Sequence, residues 1–320
     1  AHPHHKVQLG KHQGRGVASG FWFNAGLGSS ATVSLSSDGS ATVVTGNPDI
    51  GGTRVAQALM VSEELGIPTD RVRPTVADTD SIGYSDLTGG SRVCYATGMA
   101  VIKAAQDVRD QLLARAAKIW DVDVDKVTWD DGCAVSLEPS TDRTSLTLRQ
   151  LAEKMPHTGG PIIGRASVNA PMAGPAFAVN MCDIEVDKET GVSRVVRYTA
   201  IQDVGKAVHP SFVEGQMQGG AAQGIGWALN EEYLYSPDGV MQNAGFLDYR
   251  MPVASDLPMI DTVLIEVENP LHPYGVRGVG EVPIVPPLAA VANAMNDATG
   301  IRFTDLPLSP PRVLKALLRD

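Results

Sequence analysis

Residues 31–46 read ATVSLSSDGSATVVTG, and apolar residues alternate with polar ones on both sides of Asp38-Gly39. A period of two is typical of half-buried strands, and Asp-Gly between two such runs predicts a tight hairpin. A glycine loop, Pro48 to Gly52, leads into a helical pattern, TRVAQALMVSEELGI, and then into the strand-like stretch RVRPTVADTD. The loop is therefore predicted to join a strand to a helix.

The rest of the chain continues this mixture of strands and helices. The pattern predicts a long amphipathic helix from near Val93 to near Trp120, and a second hairpin turning at Thr190-Gly191. A Gly/Pro-rich connection, Gly159 to Pro175, lies between them. We predict an α+β fold with two lobes. The predicted divisions are a tail over residues 1–13, a first lobe over 14–170 and a second lobe over 171–320.

Further elements are predicted in the second lobe. They are a helical stretch from His209 through MQGGAAQGIGWALNEEYLY, a strand at TVLIEVEN, a helix at PPLAAVANAMNDATG that stops at Gly300, and a terminal helix capped by Ser309.

The composition excludes several classes of function. The 320 residues carry 26 Lys plus Arg against 36 Asp plus Glu, a net charge of −10, so a nucleic acid or an anionic membrane is not the expected partner. No apolar run reaches the roughly 20 residues that a membrane-spanning helix needs. The cysteines Cys94, Cys133 and Cys182 are far apart, which argues against a disulfide framework and favours a reducing, cytoplasmic location.

The first residues, AHPHHKVQLGKHQGRG, contain His2, His4, His5 and His12 and do not begin with Met. This start suggests a processed or split chain. A metal site is one interpretation of the histidines, but a mobile, solvated tail is the interpretation we favour, because a flexible segment fixes no coordination geometry.

Glycine clusters are the most informative feature. The chain has 33 glycines, with groups at Gly51-Gly52, Gly89-Gly90, Gly219 to Gly226 and Gly275 to Gly280. We expect each group where a strand passes into a helix or where regular structure ends. Loops of this kind let backbone N–H groups approach a large phosphate-bearing cofactor, although any single group is more often only a turn. No spacing gives a Rossmann or P-loop fingerprint.

Four ordered segments carry a resemblance to a known family. They are TGGSRVCYATGMAV, EGQMQGGAAQGIGWALNEE, PYGVRGVGEVPIVPPLAAVANAMNDATGIR and LPLSPPRVLKAL. The sequence resembles the C-terminal half of the molybdopterin-binding subunit of the xanthine dehydrogenase and aldehyde oxidase family, from about Gly14 to the last helix. In organisation it is similar to the medium molybdopterin subunit of nicotinate dehydrogenase-type enzymes.

The resemblance implies a molybdenum hydroxylase, and it implies roles for particular residues. The metal is held only through the dithiolene of a pyranopterin, so no metal-ligating side chain is expected. Glu281, the glutamate of the GVGE segment, is the general base, and its neighbours Gly280, Val282 and Pro283 are small, uncharged and stiff. The other interpretation is an acid on a surface loop, the commonest position for Glu.

Cofactor contacts are implied at further positions. Gln223 matches a glutamine near the molybdenum or the pterin, with a helix-surface glutamine as the alternative. Thr88, Gly89, Gly90, Ser91 and Arg92 match a pterin loop, in which we expect backbone amides to do most of the binding. The segment Ile50, Gly51, Gly52 and Thr53 falls where the family often has GQG. Because Gly51 replaces the glutamine, main-chain contacts of Gly51, Gly52 and Thr53 with the cofactor are implied there.

The resemblance also implies partners, because this stretch carries no GGGFGGKE-type segment, no iron-sulfur spacing and no flavin motif. We expect an obligatory chain with the other half of the molybdenum domain, an iron-sulfur subunit and a flavin subunit with FAD, and we expect the cytosine dinucleotide form of molybdopterin. A fragment of a longer chain is the alternative.

The expected reaction inserts a water-derived oxygen at an electron-poor carbon of an N-heteroaromatic or aldehyde substrate. Three alternatives stay open: a carbon monoxide dehydrogenase-like subunit, an aromatic thioester reductase subunit, or a non-catalytic assembly subunit.

Overall fold

The computed structural model describes residues 9–10, 12–78, 80–138 and 145–319. The histidines at positions 2, 4 and 5, and with them most of the predicted tail, lie outside these residues. The contacts divide the chain into two compact units, described separately below. One contains residues 1–22, 175–267 and 279–320, and the other contains residues 23–174 and 268–278. The lobes predicted at 14–170 and 171–320 stay a prediction.

The first unit is built on a four-stranded sheet with the order β1-β9-β10-β11. Its strands are β1 (Gln13–Asn24), β9 (Ala173–Val186), β10 (Ser193–Asp203) and β11 (Ile260–Ile265). β9 and β10 are antiparallel and form the predicted hairpin, with Asn180 opposite Ala200, whereas β10 and β11 are parallel. The end residues of β1 and β9, Phe23 and Asn24 and then Ala173 and Gly174, belong to the other unit.

Helices α5 (Pro210–Leu229), α6 (Pro287–Thr299) and α7 (Pro310–Leu317) supply the other half of this core. Buried side chains of β9 and β10, such as Ile184 and Tyr198, pack with Met217 of α5 and Met295 of α6. The Cys182, Ala200, Ile225, Val291 and Val313 side chains complete the same cluster. The sheet therefore buries one face against a helical layer.

Backbone-to-backbone contact sets how closely α6 approaches β1. A Cβ placed on Gly14 would collide with the backbone of Ala294 and Ala298, and one placed on Gly16 would collide with the backbone of Ala290 and Ala294. Neither position has room for a side chain, so these two glycines act in packing.

The second unit contains a sheet with the order β4-β3-β2-β8 and a small sheet β5-β6-β7. The strands are β2 (Leu27–Leu35), β3 (Ala41–Thr45), β4 (Val72–Val76), β5 (Val127–Asp130), β6 (Cys133–Ser136), β7 (Ser145–Thr147) and β8 (Ile163–Ala170). The predicted hairpin is confirmed, because β2 and β3 are antiparallel with Val33 opposite Val43. β3 and β4 are parallel and are joined through α1 (Thr53–Leu65).

The long helix of this unit is also confirmed. A wider π-helical turn, Val93–Thr97, continues into α2 (Gly98–Trp120), whose residues Ala100, Ile102 and Val108 are fully buried. Two short helices, α3 (Leu148–Glu153) and α4 (Met155–Thr158), follow the small sheet, and Thr147 caps α3 in a capping box with Gln150.

Two expectations about local structure are wrong. The connection from Gly159 to Pro175 is not irregular, since it contains strand β8, which pairs with β2 from Ile163 to Ala170. The glycines from Gly219 to Gly226 do not lie in a loop either, because all of them are inside α5. In both places the small residues allow two elements to pack closely. In the sequence, a group of small residues of this kind resembles a turn.

Candidate cofactor-binding and catalytic residues

Glu281 lies at a defined point of the first unit. It is half-buried and directly precedes a single 3₁₀ turn, Val282–Ile284, after which α6 begins at Pro287. The next side chain, Val282, is fully buried with Ala176 and Ala178. The backbone that carries the carboxylate is therefore anchored by a core residue, while the acid itself stays partly accessible.

Glycines of α5 bring this turn against the helix. A Cβ on Gly220 would lie 2.6 Å from Cγ of Pro283, and a Cβ on Gly224 would lie 2.6 Å from Cβ of Pro287. Both distances are about 1 Å shorter than an ordinary carbon contact. The helix that carries the QGIG segment thus packs on the turn that directly follows Glu281, within one unit.

Gln223 lies on the same helix and is exposed. Gly215 and Gly219 precede it at intervals of four residues, and a Cβ on either would meet no atom within 4 Å. Residues four apart share one helix face, so the amide of Gln223 stands at the end of a strip of bare backbone. The structure leaves this amide accessible to a ligand. A plain surface glutamine, the other interpretation, would be exposed in the same way.

The loop around Gly89 and Gly90 lies in the second unit. Gly90 has a φ of 70° and its carbonyl accepts a 2.9 Å hydrogen bond from the N–H of Ala25. A Cβ on Gly90 would come within 2.7 Å of the Ala25 side chain, so both the conformation and the space favour glycine. Ser91 also has a positive φ, 54°, which is uncommon for a residue with a side chain.

Arg92 organises this loop from inside the protein. Its side chain is fully buried. The guanidinium donates to the carbonyls of Gly26, Gly28, Asp86 and Leu87 and to the hydroxyl of Ser29, at distances from 2.6 to 3.2 Å. Burial lowers the pKa of Arg92, because desolvation penalises the charged form. These bonds connect the loop to β2, so the guanidinium holds the loop in place. The cofactor contact that the resemblance implied for Arg92 stays a prediction.

A buried polar network continues from the same arginine. The Ser29 hydroxyl is 3.1 Å from that of Thr97, and the Thr97 hydroxyl donates to Oδ1 of Asn47 at 2.8 Å. The Asn47 amide then donates to the hydroxyl of Thr88 at 3.2 Å. The Thr88 side chain is thus held by Asn47 inside the protein. The backbone groups of the loop are therefore the better candidates for contact with a ligand.

Asp86 fastens the beginning of the loop to β2. Its carboxylate accepts a 2.7 Å bond from the hydroxyl of Tyr84 and another of 2.7 Å from the N–H of Gly28. The bond from Tyr84, followed by that from Gly28, lowers the pKa of Asp86. The carboxylate therefore stays ionised and keeps both bonds at neutral pH.

Gly278 lies directly on this loop within the second unit. A Cβ on Gly278 would collide with the carbonyl oxygen of Ser91. The glycine-rich segment from Gly275 onward and the loop around Gly90 are therefore in backbone contact. The chain leaves this unit after Gly278, so Gly280 and Glu281 belong to the first unit.

The loop of Ile50 to Thr53 has a local explanation. Gly51 and Gly52 both have left-handed φ values, 70° and 89°, and α1 starts directly after them. Oδ1 of Asp49 accepts from the Thr53 hydroxyl at 3.1 Å and from the Arg54 N–H at 3.2 Å. Because a carboxylate already caps this helix end, the site is less suited to a phosphate than the sequence suggested.

Three buried amides were missed in the sequence. Asn24, Asn47 and Gln202 are each at most 3% exposed and all bond to segments singled out above. One signal was present for Asn24, which occupies an inward position of β1 where the alternation calls for an apolar residue. A polar residue at a core position indicates a hydrogen-bonding task.

Two features are absent from the described residues. In that part of the chain, no group of three or more His, Cys, Asp or Glu is placed to hold a metal ion. Within the same residues, no helix has both the length and the apolar character needed to cross a membrane.

Residues 4–258 match the model of the molybdopterin cofactor-binding domain family, and the chain belongs to that family. The α+β fold predicted from the sequence is confirmed by solved structures. Among them is the reconstituted CO dehydrogenase from Oligotropha carboxidovorans, with a TM-score of 0.86 and 25% identity over 97% of this chain and 41% of that one.

Curated relatives include xanthine dehydrogenase subunits and related molybdenum hydroxylases, the family that the sequence resembles. The putative xanthine dehydrogenase molybdenum-binding subunit of Escherichia coli K12 is 32% identical over 88% of this chain. The nicotine 6-hydroxylase large subunit of Paenarthrobacter nicotinovorans is 30% identical over 89%. The chain spans 38% and 36% of these two relatives, respectively.

Proposed function

We propose that this chain is the molybdenum-cofactor-binding part of an oxidoreductase that inserts a water-derived oxygen into its substrate, with Glu281 as the general base. Membership of the molybdopterin cofactor-binding family supports the cofactor. The observation that carries the catalytic assignment is the position of Glu281, which is half-buried on a turn whose next residue is fully buried. A base needs a fixed position before it needs a tuned acidity.

The residues present fit a bound pterin. When bound, the cofactor supplies the two-electron oxidising centre, and the protein supplies the surrounding contacts. In the first unit we assign the exposed amide of Gln223 as a proposed pterin contact, and in the second unit, separately, the backbone of Thr88 to Ser91. The loop is held in shape by Arg92 from inside, so its backbone can bind without rearranging.

Glu281 would accept the proton that the attacking water-derived oxygen loses. A half-buried carboxylate can take up a proton and release it to solvent in the next step. Gly280 before it is exposed and has no side chain. The loop of Gly51, Gly52 and Thr53 remains a proposed backbone contact, weakened by the carboxylate of Asp49 at the start of α1.

For the substrate we propose an N-heteroaromatic compound or an aldehyde. The relatives include a nicotine 6-hydroxylase and aldehyde oxidoreductases, which supports both classes. A carbon monoxide dehydrogenase-like reaction is the second candidate, because two carbon monoxide dehydrogenase large chains are among the relatives. The substrate-facing residues are expected on the part of the molybdenum domain that this chain does not span.

We further propose that the pterin is the cytosine dinucleotide and that the complex works in the cytoplasm. The partners would be a chain with the remainder of the molybdenum domain, an iron-sulfur subunit and an FAD subunit. Relatives named as subunits of complexes support this arrangement, since they include a molybdenum-binding subunit and a gamma subunit of a dehydrogenase complex.

The test is the variant Glu281→Gln in the complex purified with its cofactor. Loss of a general base is expected to lower kcat by about 10²- to 10⁴-fold. Molybdenum and pterin content, measured by metal analysis and by fluorescence of the oxidised pterin, should stay near the wild-type level.

Glu268→Gln is the matched control, because Glu268 is an exposed acid that lies in the other unit and outside the GVGE segment. It should turn over like the wild type. Full activity of Glu281→Gln would refute the assignment of the base. An active complex that contains neither molybdenum nor pterin would refute the function as a whole.

A further inference from the structure

Two buried amide side chains bond to the segment that leads to Glu281. Gln202, near the end of β10, is 1% exposed, and its Nε2 donates to the carbonyl of Val279 at 3.4 Å. Asn24, the last residue of β1, is fully buried, and its Nδ2 donates to the carbonyl of Gly278 at 3.4 Å. The two carbonyls are consecutive, and they precede Glu281 by two and three residues.

Each amide acts within its own unit. The chain passes from one unit to the other at the peptide bond between Gly278 and Val279. Asn24 belongs with Gly278 and Gln202 belongs with Val279, so each side of this passage is held by a buried amide of its own unit. Both distances are longer than the usual range of about 2.7–3.2 Å, so each bond is weak and its interest lies in the carbonyl that it reaches.

The other ends of these amides carry a cost. Within the described part of the chain, Oδ1 of Asn24 and Oε1 of Gln202 are buried and have no hydrogen-bond partner. An unpaired buried acceptor costs about 1–3 kcal/mol. An apolar side chain of similar size would remove that unpaired oxygen but would leave the carbonyl of Gly278 or Val279 without its donor, so the amide serves that carbonyl.

Asn180 shows that an unpaired oxygen is not sufficient by itself. It is also a buried amide with an unpaired Oδ1, and it lies on the same sheet as Gln202. Its Nδ2 donates to the hydroxyl of Tyr198 at 2.8 Å, deep in the core. What distinguishes Asn24 and Gln202 is therefore their target, the backbone that precedes Glu281.

We infer that Gln202 is a positioning residue that fixes the direction in which the chain enters Gly280 and Glu281. Gly280 has no side chain and is exposed, so the position of the acid depends on the backbone before it and on Val282 after it. If the carbonyl of Val279 loses its donor, the peptide can rotate and displace the carboxylate. This inference rests on the proposed role of Glu281.

The test compares Gln202→Met with Asn180→Leu in the complex loaded with molybdenum and pterin. Both variants remove a buried amide from the same sheet, so a similar change in stability is expected. Gln202→Met should lower kcat by about 10- to 100-fold, the size of effect that a shift of about 1 Å in a catalytic group produces. KM and molybdenum content should change less than about twofold, because only the placement of the base is altered.

Hydrogen exchange gives a readout independent of turnover. In Gln202→Met the amides from Gly280 to Val282 should exchange faster than in the wild type, and in Asn180→Leu they should not. Unchanged kcat and exchange in Gln202→Met would overturn the inference, as would an equal loss of kcat in Asn180→Leu.

Gln202→Glu is the second variant, in case the first one does not fold. An ionised carboxylate cannot donate to the carbonyl of Val279, but a protonated one can. The ratio of its kcat to that of the wild type should therefore rise as the pH falls, and a ratio independent of pH would contradict the inference. Inactive Glu281→Gln with fully active Gln202→Met would refute the positioning role alone, whereas active Glu281→Gln would refute the proposed base.

Discussion

Two adjacent glycines of α5 should respond in opposite ways to the same substitution. Gly219 and Gly220 are both inside the helix, where replacing glycine with alanine adds about 1 kcal/mol of stability. A Cβ on Gly219 meets no atom within 4 Å, so Gly219→Ala should gain that amount in full. Gly220→Ala adds a methyl group that faces the turn after Glu281.

The magnitude at Gly220 follows from the distances. Its Cβ would lie 2.6 Å from Cγ of Pro283, 3.0 Å from Cβ of the same ring and 3.2 Å from the backbone nitrogen of Ile284. The ring is buried and cannot rotate away, and overpacking of this kind costs about 1–3 kcal/mol. After the gain in helix propensity, Gly220→Ala should range from neutral to destabilising by about 2 kcal/mol.

The assay is equilibrium unfolding of the two variants side by side, by heat or urea. The helix-propensity contribution is common to both, so the difference between them reports the contact with the turn and is expected to be about 1–3 kcal/mol. Equal stability changes in the two variants, or a larger loss for Gly219→Ala, would refute the close packing of α5 on the turn.

Two more outcomes are expected. Arg92→Lys should destabilise the protein by about 2–5 kcal/mol, because a single ammonium cannot reach five acceptors and leaves buried carbonyls unpaired. The control is Arg149→Lys on an exposed helix face, which should change the unfolding midpoint very little. Burial lowers the pKa of His272 to about 4, so the unfolded chain binds more protons between about pH 6.5 and 4, and up to about 3 kcal/mol of stability is lost as the pH falls through that window. His272→Phe should remove this part of the pH dependence of the free energy of unfolding. If the variant shows the same dependence on pH as the wild type, His272 is not its source.

The elements that could be predicted are those with a local cause. The hairpin at Asp38-Gly39 and the one at Thr190-Gly191 follow from alternation around a turn residue, and both are present. Helix α6 ends at Gly300, whose φ of 80° lies in the left-handed region that favours glycine. None of these features depends on residues distant in the sequence.

Strand β8 could not be predicted, because its inward residues are too small to show a hydrophobic period. Gly164 is buried, and a Cβ there would collide with the backbone of Ala104 in α2. The residue is small because the backbone of helix α2 packs directly on the backbone of β8. That contact belongs to the tertiary structure and leaves no local pattern in the sequence. A glycine required by a distant partner reads in the sequence like a glycine required by a turn.

The candidate site shows the same division. Glu281 and Gln223 were singled out through a resemblance in the segments that contain them, and their assignment stays a prediction. Asn24 and Gln202 have no motif around them, since their importance depends on which carbonyls they reach across 254 and 77 residues of chain. Contacts at such separations are set by the fold.

Glycines of this chain therefore serve at least two different tasks. Gly14, Gly16, Gly220 and Gly224 bring helices or turns against their neighbours, and a side chain at any of them would collide with a neighbouring residue. Those around Gly90 shape a loop over a buried arginine. Close packing leaves the turn of Glu281 few alternative positions, because each neighbour is itself fixed. For a proposed general base this rigidity is useful, since an acid that must meet its substrate at hydrogen-bond distance gains nothing from a mobile backbone.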